Sequence, residues 1–153
     1  MTWARADLKG ALVTRMEHAG VTVVNTHPIA NRDGDWSRSG RFWPLHRAQL
    51  DALTATVRDT TSPAVVCGDF NIDRDSSLMG GFLDDTGLSD AFGGGCPPTF
   101  RGEYLPAGET PHCIDFILAT GEIRAVTCGW PCACRPAISA SRLTPSIGAS
   151  PAG

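Results

Sequence analysis

The segment Pro63-Ala64-Val65-Val66-Cys67 is a short, unbroken apolar run that leads straight into Gly68-Asp69-Phe70-Asn71. A run of this length, rich in β-branched residues and bounded by Pro and Gly, has the signature of a buried strand. An acid and an amide then stand where the strand ends, held by rigid scaffold yet able to reach solvent. Two further segments repeat the arrangement: Val21-Thr22-Val23-Val24-Asn25-Thr26-His27, and Ile114-Asp115-Phe116-Ile117-Leu118.

Between and around these runs the chain alternates. Leu8 to Glu17 and Val21 to Thr26 are strand-like and separated by His18-Ala19-Gly20, which predicts an antiparallel hairpin with Gly at the awkward dihedral. Asn31 to Gly40 is polar and predicts a surface loop close to His27. From Pro44 the apolar spacing becomes helical, through Leu45, Ala48, Ala52 and Thr56, until Arg58-Asp59-Thr60-Thr61-Ser62-Pro63 ends it. A second short helix is predicted from about Ser76 to Asp85, capped by Asp75 or Ser76 and closed by Gly87, although Gly80-Gly81 weakens the pattern. Ala91 to Pro111 reads as loop around Pro98-Thr99-Phe100, before strands at Ile114 to Ala119 and Glu122 to Cys128. The expected class is therefore α/β or α+β: a partial two-sheet sandwich flanked by helices, with mostly antiparallel or mixed strands.

At 153 residues the chain suits one domain with a real core, placed here at residues 8–122. It has neither an apolar run long enough for a membrane span nor the h-region of a secretory signal at Met1 to Asp7, so a cytoplasmic location is expected. Six cysteines are too sparse for a disulfide scaffold. The spacing of Cys128, Cys132 and Cys134 does not match a usual zinc pattern. Residues 1–122 hold all sixteen acidic residues against ten basic ones, a net charge of −6. Such a body does not suit unaided polyanion binding, so a nucleic-acid-binding module without chemistry is the least favoured class. It does suit recruitment of a divalent cation that in turn binds phosphate.

Taken singly, each strand-end residue has a structural alternative. His27 could be structural, Asp69 could cap a turn, and Asn71 could stabilise its loop by an Asx-turn. Asp115, flanked by Ile114 and Phe116, must face a partner or a cleft. Together, Asn25-Thr26-His27, Gly68-Asp69-Phe70-Asn71 and Ile114-Asp115-Phe116-Ile117 resemble, in order and spacing, the endonuclease/exonuclease/phosphatase superfamily of deoxyribonuclease-I-like nucleases, inositol-polyphosphate phosphatases and neutral sphingomyelinases. His46-Arg47-Ala48-Gln49-Leu50 and Pro98-Thr99-Phe100 add to the likeness, which covers roughly Lys9 to Leu118.

The resemblance implies a phosphoesterase that drives in-line attack of water on a phosphodiester or phosphomonoester with the help of Mg²⁺ or Mn²⁺. Carried over by position, Asp69 would orient or deprotonate the water, Asn71 would hold that water or a phosphate oxygen through its amide donors, and His27 would donate to a nonbridging oxygen. Asp115 would orient a histidine nearer the carboxyl end. Asp69 and Asn71 are the metal-side candidates, and Asn25 and Trp36 the substrate-side ones. Trp36 could stack on a base or rest at a lipid headgroup, or simply pack over its own loop. The expected partner is a phosphoester: nucleic acid, phospholipid headgroup or small phosphate ester, with a slight lean to the sphingomyelinase-like side from Lys9-Gly10 and Val21 to Asn31.

Two family features have no counterpart. None of the four histidines, His18, His27, His46 and His112, follows Asp115, and no early strand carries the metal-ligand glutamate. From Ile123 to Gly153 there is no Asp, Glu, Lys, His, Phe or Tyr, and with twelve Arg to one Lys overall the segment 123–153 reads as an out-of-frame or disordered tail. The chain is therefore expected to be an impaired enzyme with at most trace turnover and a tendency to self-associate. The alternative is an inactive remnant or a partner-binding fragment.

Overall fold

Apolar residues at every second position of the strands, and at helical spacing after Pro44, find one another across a single layer boundary. In a computed structural model of the chain, the residues described are 9–123, except 94, 96, 103, 104 and 106. They form β1 (Ala11–Met16), β2 (Val21–Thr26), α1 (Trp43–Arg58), β3 (Ala64–Asp69), α2 (Ser77–Thr86), β4 (Ser89–Asp90) and β5 (Asp115–Ala119). The strands make one five-stranded sheet in the order β1-β2-β3-β5-β4. Only β2 and β3 run parallel, because α1 carries the chain back between them; the other pairs are antiparallel.

The expected hairpin is present, shifted to Ala11–Met16, with Gly20 at φ 62°. α1 starts one residue before Pro44, and Ser76 caps α2 by accepting from the Met79 N–H at 3.2 Å. Gly87 closes that helix in the left-handed conformation, so Gly80-Gly81 did not prevent it. The two-residue strand β4 was not expected; it lies within a turn-rich stretch and forms by pairing with β5. Glu122 lies in a turn rather than a strand, and residues 124–128 of the expected last strand lie outside the described residues, as does the tail from 124 onward.

Both helices contribute to one core with one face of the sheet. Val24, Val66, Phe116 and Leu118 of the strands meet Leu50, Leu53 and Val57 of α1 and Leu78, Met79 and Phe82 of α2. Phe70 sits at its centre, fully buried, edge-on to Phe116 at 5.3 Å between centroids. Burying a side chain of this size contributes roughly 1.5–3 kcal/mol, which fixes the turn that follows β3. Strand alternation sends the intervening residues to the opposite face, where Leu12 remains 68% and Ile117 43% exposed. The strand register reads in rows across this open face: Leu12, Asn25, Cys67 and Ile117 form one, Thr14, Val23, Val65 and Ala119 the next.

Candidate active site

One row beyond Leu12-Asn25-Cys67-Ile117, the open face turns polar. Asp69 at the end of β3 is the direct register partner of Asp115 at the start of β5, so the two carboxylates share a face on adjacent strands. His27, just past β2, lies on the other side of Asp69, with Nε2 at 3.7 Å from Asp69 Oδ2. Three of the expected residues, from three separate segments, are thus gathered by strand register alone.

The local sequence explains why β3 can end this way. Gly68 has φ 138°, and a Cβ built there would stand 2.0 Å from the Thr26 carbonyl oxygen of β2. Only glycine allows the two strands to approach so closely. Phe70 then drops into the core while its N–H donates to the Ile114 carbonyl at 2.8 Å, and the chain turns at Asn71. The Asn71 N–H donates to Asp69 Oδ1 at 2.8 Å, so Asp69 caps the turn, the structural alternative open to it from the sequence. Asn71 Nδ2 donates to the Pro28 carbonyl at 3.1 Å. One of its two amide hydrogens is therefore engaged within the protein, which leaves less donor capacity for a bound water or phosphate than the sequence implied.

Electrostatics at Asp69 follow from this setting. Burial pushes its carboxyl above the usual range, the Asn71 N–H pulls it down, Asp115 raises it again, and His27 and Lys9 lower it. Lys9 was not singled out as a site residue. Its Nζ stands 2.8 Å from His27 Nε2, and an ammonium can only donate, so Nε2 is the acceptor. Gly10 accepts from the His27 N–H at 3.3 Å, which fixes this end of the chain against the site. Sequence offered a sign of this only in the adjacency of Lys9-Gly10 to the first strand.

The remaining motifs act as supports. His46 is fully buried, with Nε2 donating to the Ile29 carbonyl at 2.9 Å, while Gln49 Oε1, one turn on, accepts from the Ile29 N–H at 3.2 Å. Together they clamp both polar groups of one residue in the loop after His27. Thr99 Oγ1 accepts from the N–H groups of Ile114 and Asp115 at 3.1 and 3.2 Å, so Pro98-Thr99-Phe100 secures the start of β5. Asn25 lies one row behind the acids, its Nδ2 at 3.7 Å from Cys67 Sγ. Trp36 does not fold over its own loop: Nε1–H donates to the Asn71 carbonyl at 3.0 Å, and its ring meets His112 with centroids 4.7 Å apart.

His46 also carries a pH consequence. Burial pushes its imidazole below the usual range, against a smaller upward pull from the Ile29 carbonyl, and Nδ1 is buried without a partner. A histidine whose folded pKa lies below its unfolded value takes up its proton more readily in the unfolded chain, so stability falls as pH drops from about 6.5 toward the folded value. The melting temperature should decline between pH 7 and pH 5, and His46→Gln, which keeps an N–H donor, should flatten that decline. Parallel profiles for both proteins would show that His46 is not responsible.

The sequence profile of the Endonuclease/Exonuclease/phosphatase family matches residues 6–146. The chain belongs to this family. Its fold resembles three solved structures. It superimposes on beta toxin from Staphylococcus aureus, in a form with bound magnesium ions, at TM-score 0.57 and 17% identity over 74% of this chain and 42% of that one. An AP endonuclease from Archaeoglobus fulgidus gives TM-score 0.56 at 16% identity, over 76% and 55% respectively. An endonuclease/exonuclease/phosphatase from Beutenbergia cavernae gives 0.54 at 24%, over 76% and 32%. The chain thus spans about half the length of these structures or less. No curated protein matches it in sequence. The family's α/β class with a mixed sheet is what the described residues form.

Proposed function

We propose that the chain is a divalent-metal-dependent phosphoesterase whose acid pair is Asp69 and Asp115. The family is one of hydrolases acting on phosphoesters, and the observation that carries the finer reading is the placement of these two carboxylates directly opposite each other on β3 and β5, flanked by His27 and Lys9. Two like charges this close are unfavourable alone, and the upward pull of Asp115 on Asp69 registers that cost. A hard cation relieves it, and two carboxylates with the Asn71 amide oxygen form the all-oxygen donor set that Mg²⁺ or Mn²⁺ takes. Bound there, the ion would supply Lewis-acid stabilisation of charge on the phosphoryl oxygens.

The chain's own groups supply the rest. Asp69 has one oxygen fixed by the Asn71 N–H and the other turned toward His27, which places it to orient an attacking water and take its proton. His27, accepting from Lys9 through Nε2, retains Nδ1–H for a nonbridging phosphate oxygen, and the Lys9 ammonium adds positive charge beside it. Among the described residues no three His, Cys, Asp or Glu side chains cluster closely enough to hold a metal. Water and the substrate phosphate must complete the ion's shell, so we expect weak affinity and trace turnover. The substrate class is a phosphoester: nucleic acid, phospholipid headgroup or small phosphate ester. The test is Mg²⁺-dependent hydrolysis of bis-p-nitrophenyl phosphate that EDTA abolishes. Undiminished hydrolysis in EDTA would refute the metal requirement.

The open sheet face favours a second reading, a chain held by contact with another copy of itself. Leu12 and Met16 of the edge strand β1, together with Ile117, are exposed apolar side chains on this face, and among the described residues β1 ends the sheet. Light scattering should give a mass above one chain, reduced toward the monomer by Leu12→Lys. A wild-type monomer at all concentrations would rule this reading out. No helix among the described residues is long and apolar enough to cross a membrane.

A further inference from the structure

We propose that Trp36, His112 and Asp73 are positioning residues for Asn71, linked in series so that the loop after β2 and the segment before β5 together set the turn that carries the site. The proposal rests on the functional reading above only for the use to which Asn71 is put.

Asn71 is the one non-glycine residue with positive φ among the described residues, at 52°. Asparagine tolerates the left-handed region better than most residues, but a single backbone conformation of this kind persists only where its surroundings determine it. Three of its groups are held. The N–H goes to Asp69 and the side-chain amide to Pro28, while the carbonyl accepts from Trp36 Nε1. The first contact is local, and the third comes from a residue 35 positions away in sequence.

Trp36 is itself set by His112, whose ring stands edge-on at an interplanar angle of 66°. His112 cannot choose its own orientation. Its backbone pairs with Phe100 in both directions, and Nδ1 is hydrogen-bonded to Asp73 Oδ2 at 2.5 Å. Asp73 is fixed in turn, its other carboxylate oxygen accepting from the Asp75 N–H at 2.8 Å and its carbonyl from the Ser76 N–H at 3.1 Å. Asp73 is two residues beyond Asn71, with the fully buried Ile72 between them. The contacts therefore close a ring: Asn71, Ile72, Asp73, His112, Trp36 and back to Asn71. A closed ring resists rotation of any one member, so Asn71 is held by residues that do not reach the acids themselves.

The test uses the full 153-residue chain with two readouts: Mn²⁺ affinity by titration, and the Asn71 backbone amide resonance in the cation-free protein. Trp36→Phe keeps the ring but removes the N–H; His112→Phe keeps a ring but breaks the bond to Asp73. Each should weaken Mn²⁺ binding by about 10- to 100-fold, the range for outer-shell partners of metal ligands. Serial action predicts that the double variant binds no more weakly than the weaker single one. Asp73→Asn, which retains an acceptor oxygen, should preserve most of the affinity that Asp73→Leu loses. The Asn71 resonance should move in His112→Phe, because His112 reaches Asn71 through Trp36 on one side of the ring and through Asp73 on the other. Additive losses, or an unmoved Asn71 resonance in His112→Phe, would overturn the proposal and leave only packing. Should neither the wild type nor any variant bind Mn²⁺, the functional reading fails, and the resonance alone still decides whether the ring positions Asn71.

Discussion

Gly68→Ala is expected to leave the chain unable to hold its native sheet. The added Cβ would meet the Thr26 carbonyl oxygen at 2.0 Å, the Thr26 carbonyl carbon at 3.1 Å and the Thr26 nitrogen at 3.2 Å. All three are backbone atoms of the neighbouring strand, so no side chain can swing aside. Relief requires β2 and β3 to separate, and these strands lie at the centre of the sheet. Alanine at φ 138° adds about 1–3 kcal/mol of backbone strain before any displacement, in domains whose total stability is only about 5–15 kcal/mol. Gly80→Ala is the contrasting substitution. Gly80 is an exposed position in α2 with nothing within 4 Å of its built Cβ, so alanine should stabilise the helix by roughly 0.5–1 kcal/mol. Urea unfolding of the three proteins measures both effects. A Gly68→Ala protein that unfolds cooperatively at the wild-type midpoint would mean that β2 and β3 do not approach as described.

Asp69→Asn should remove activity and raise stability together. Loss of a general base lowers turnover by about 10²- to 10⁴-fold, and loss of a carboxylate from the donor set weakens the divalent ion's hold as well. The stability gain has a definite sign. Burial, together with Asp115, places the folded pKa of Asp69 above the usual carboxylate range. A group raised in this way favours the folded state while protonated, and the benefit is lost as pH rises through the folded pKa. At neutral pH the ionised carboxylate therefore costs stability. Asparagine retains an oxygen for the Asn71 N–H but carries no charge. In EDTA the variant should melt higher than the wild type at pH 7, and the difference should shrink toward pH 4 and below. Undiminished Mg²⁺-dependent turnover would remove Asp69 from the chemistry, and a lower melting temperature at pH 7 would contradict its placement beside Asp115.

Much of the site was legible because the strand period is short and unforgiving. His27, Asp69 and Asp115 each follow or interrupt an apolar run at an odd offset, which sends them to the same side of their strands once the runs are paired. Helix boundaries were read to within a residue or two from Pro44, Ser76 and Gly87, because capping is a local matter. Trp36 was harder, since whether an indole packs over its own loop or across to another depends on what the fold brings within reach. Lys9 and the Asp73–His112 pair were missed for the same reason: their partners lie 18 and 39 positions away, and nothing local to either residue announces them.

Local patterns in the chain were enough to mark β2, β3, β5 and the two helices, and the polar residues that close those strands, though not β4. Those choices follow from backbone sterics and apolar periodicity over a few residues. Long-range packing sets Asp69 opposite Asp115, requires glycine at position 68, and engages one Asn71 amide hydrogen with Pro28 and its carbonyl with Trp36. Each of these depends on the register and spacing between segments far apart in the chain, which are set when the helices and sheet bury their common core.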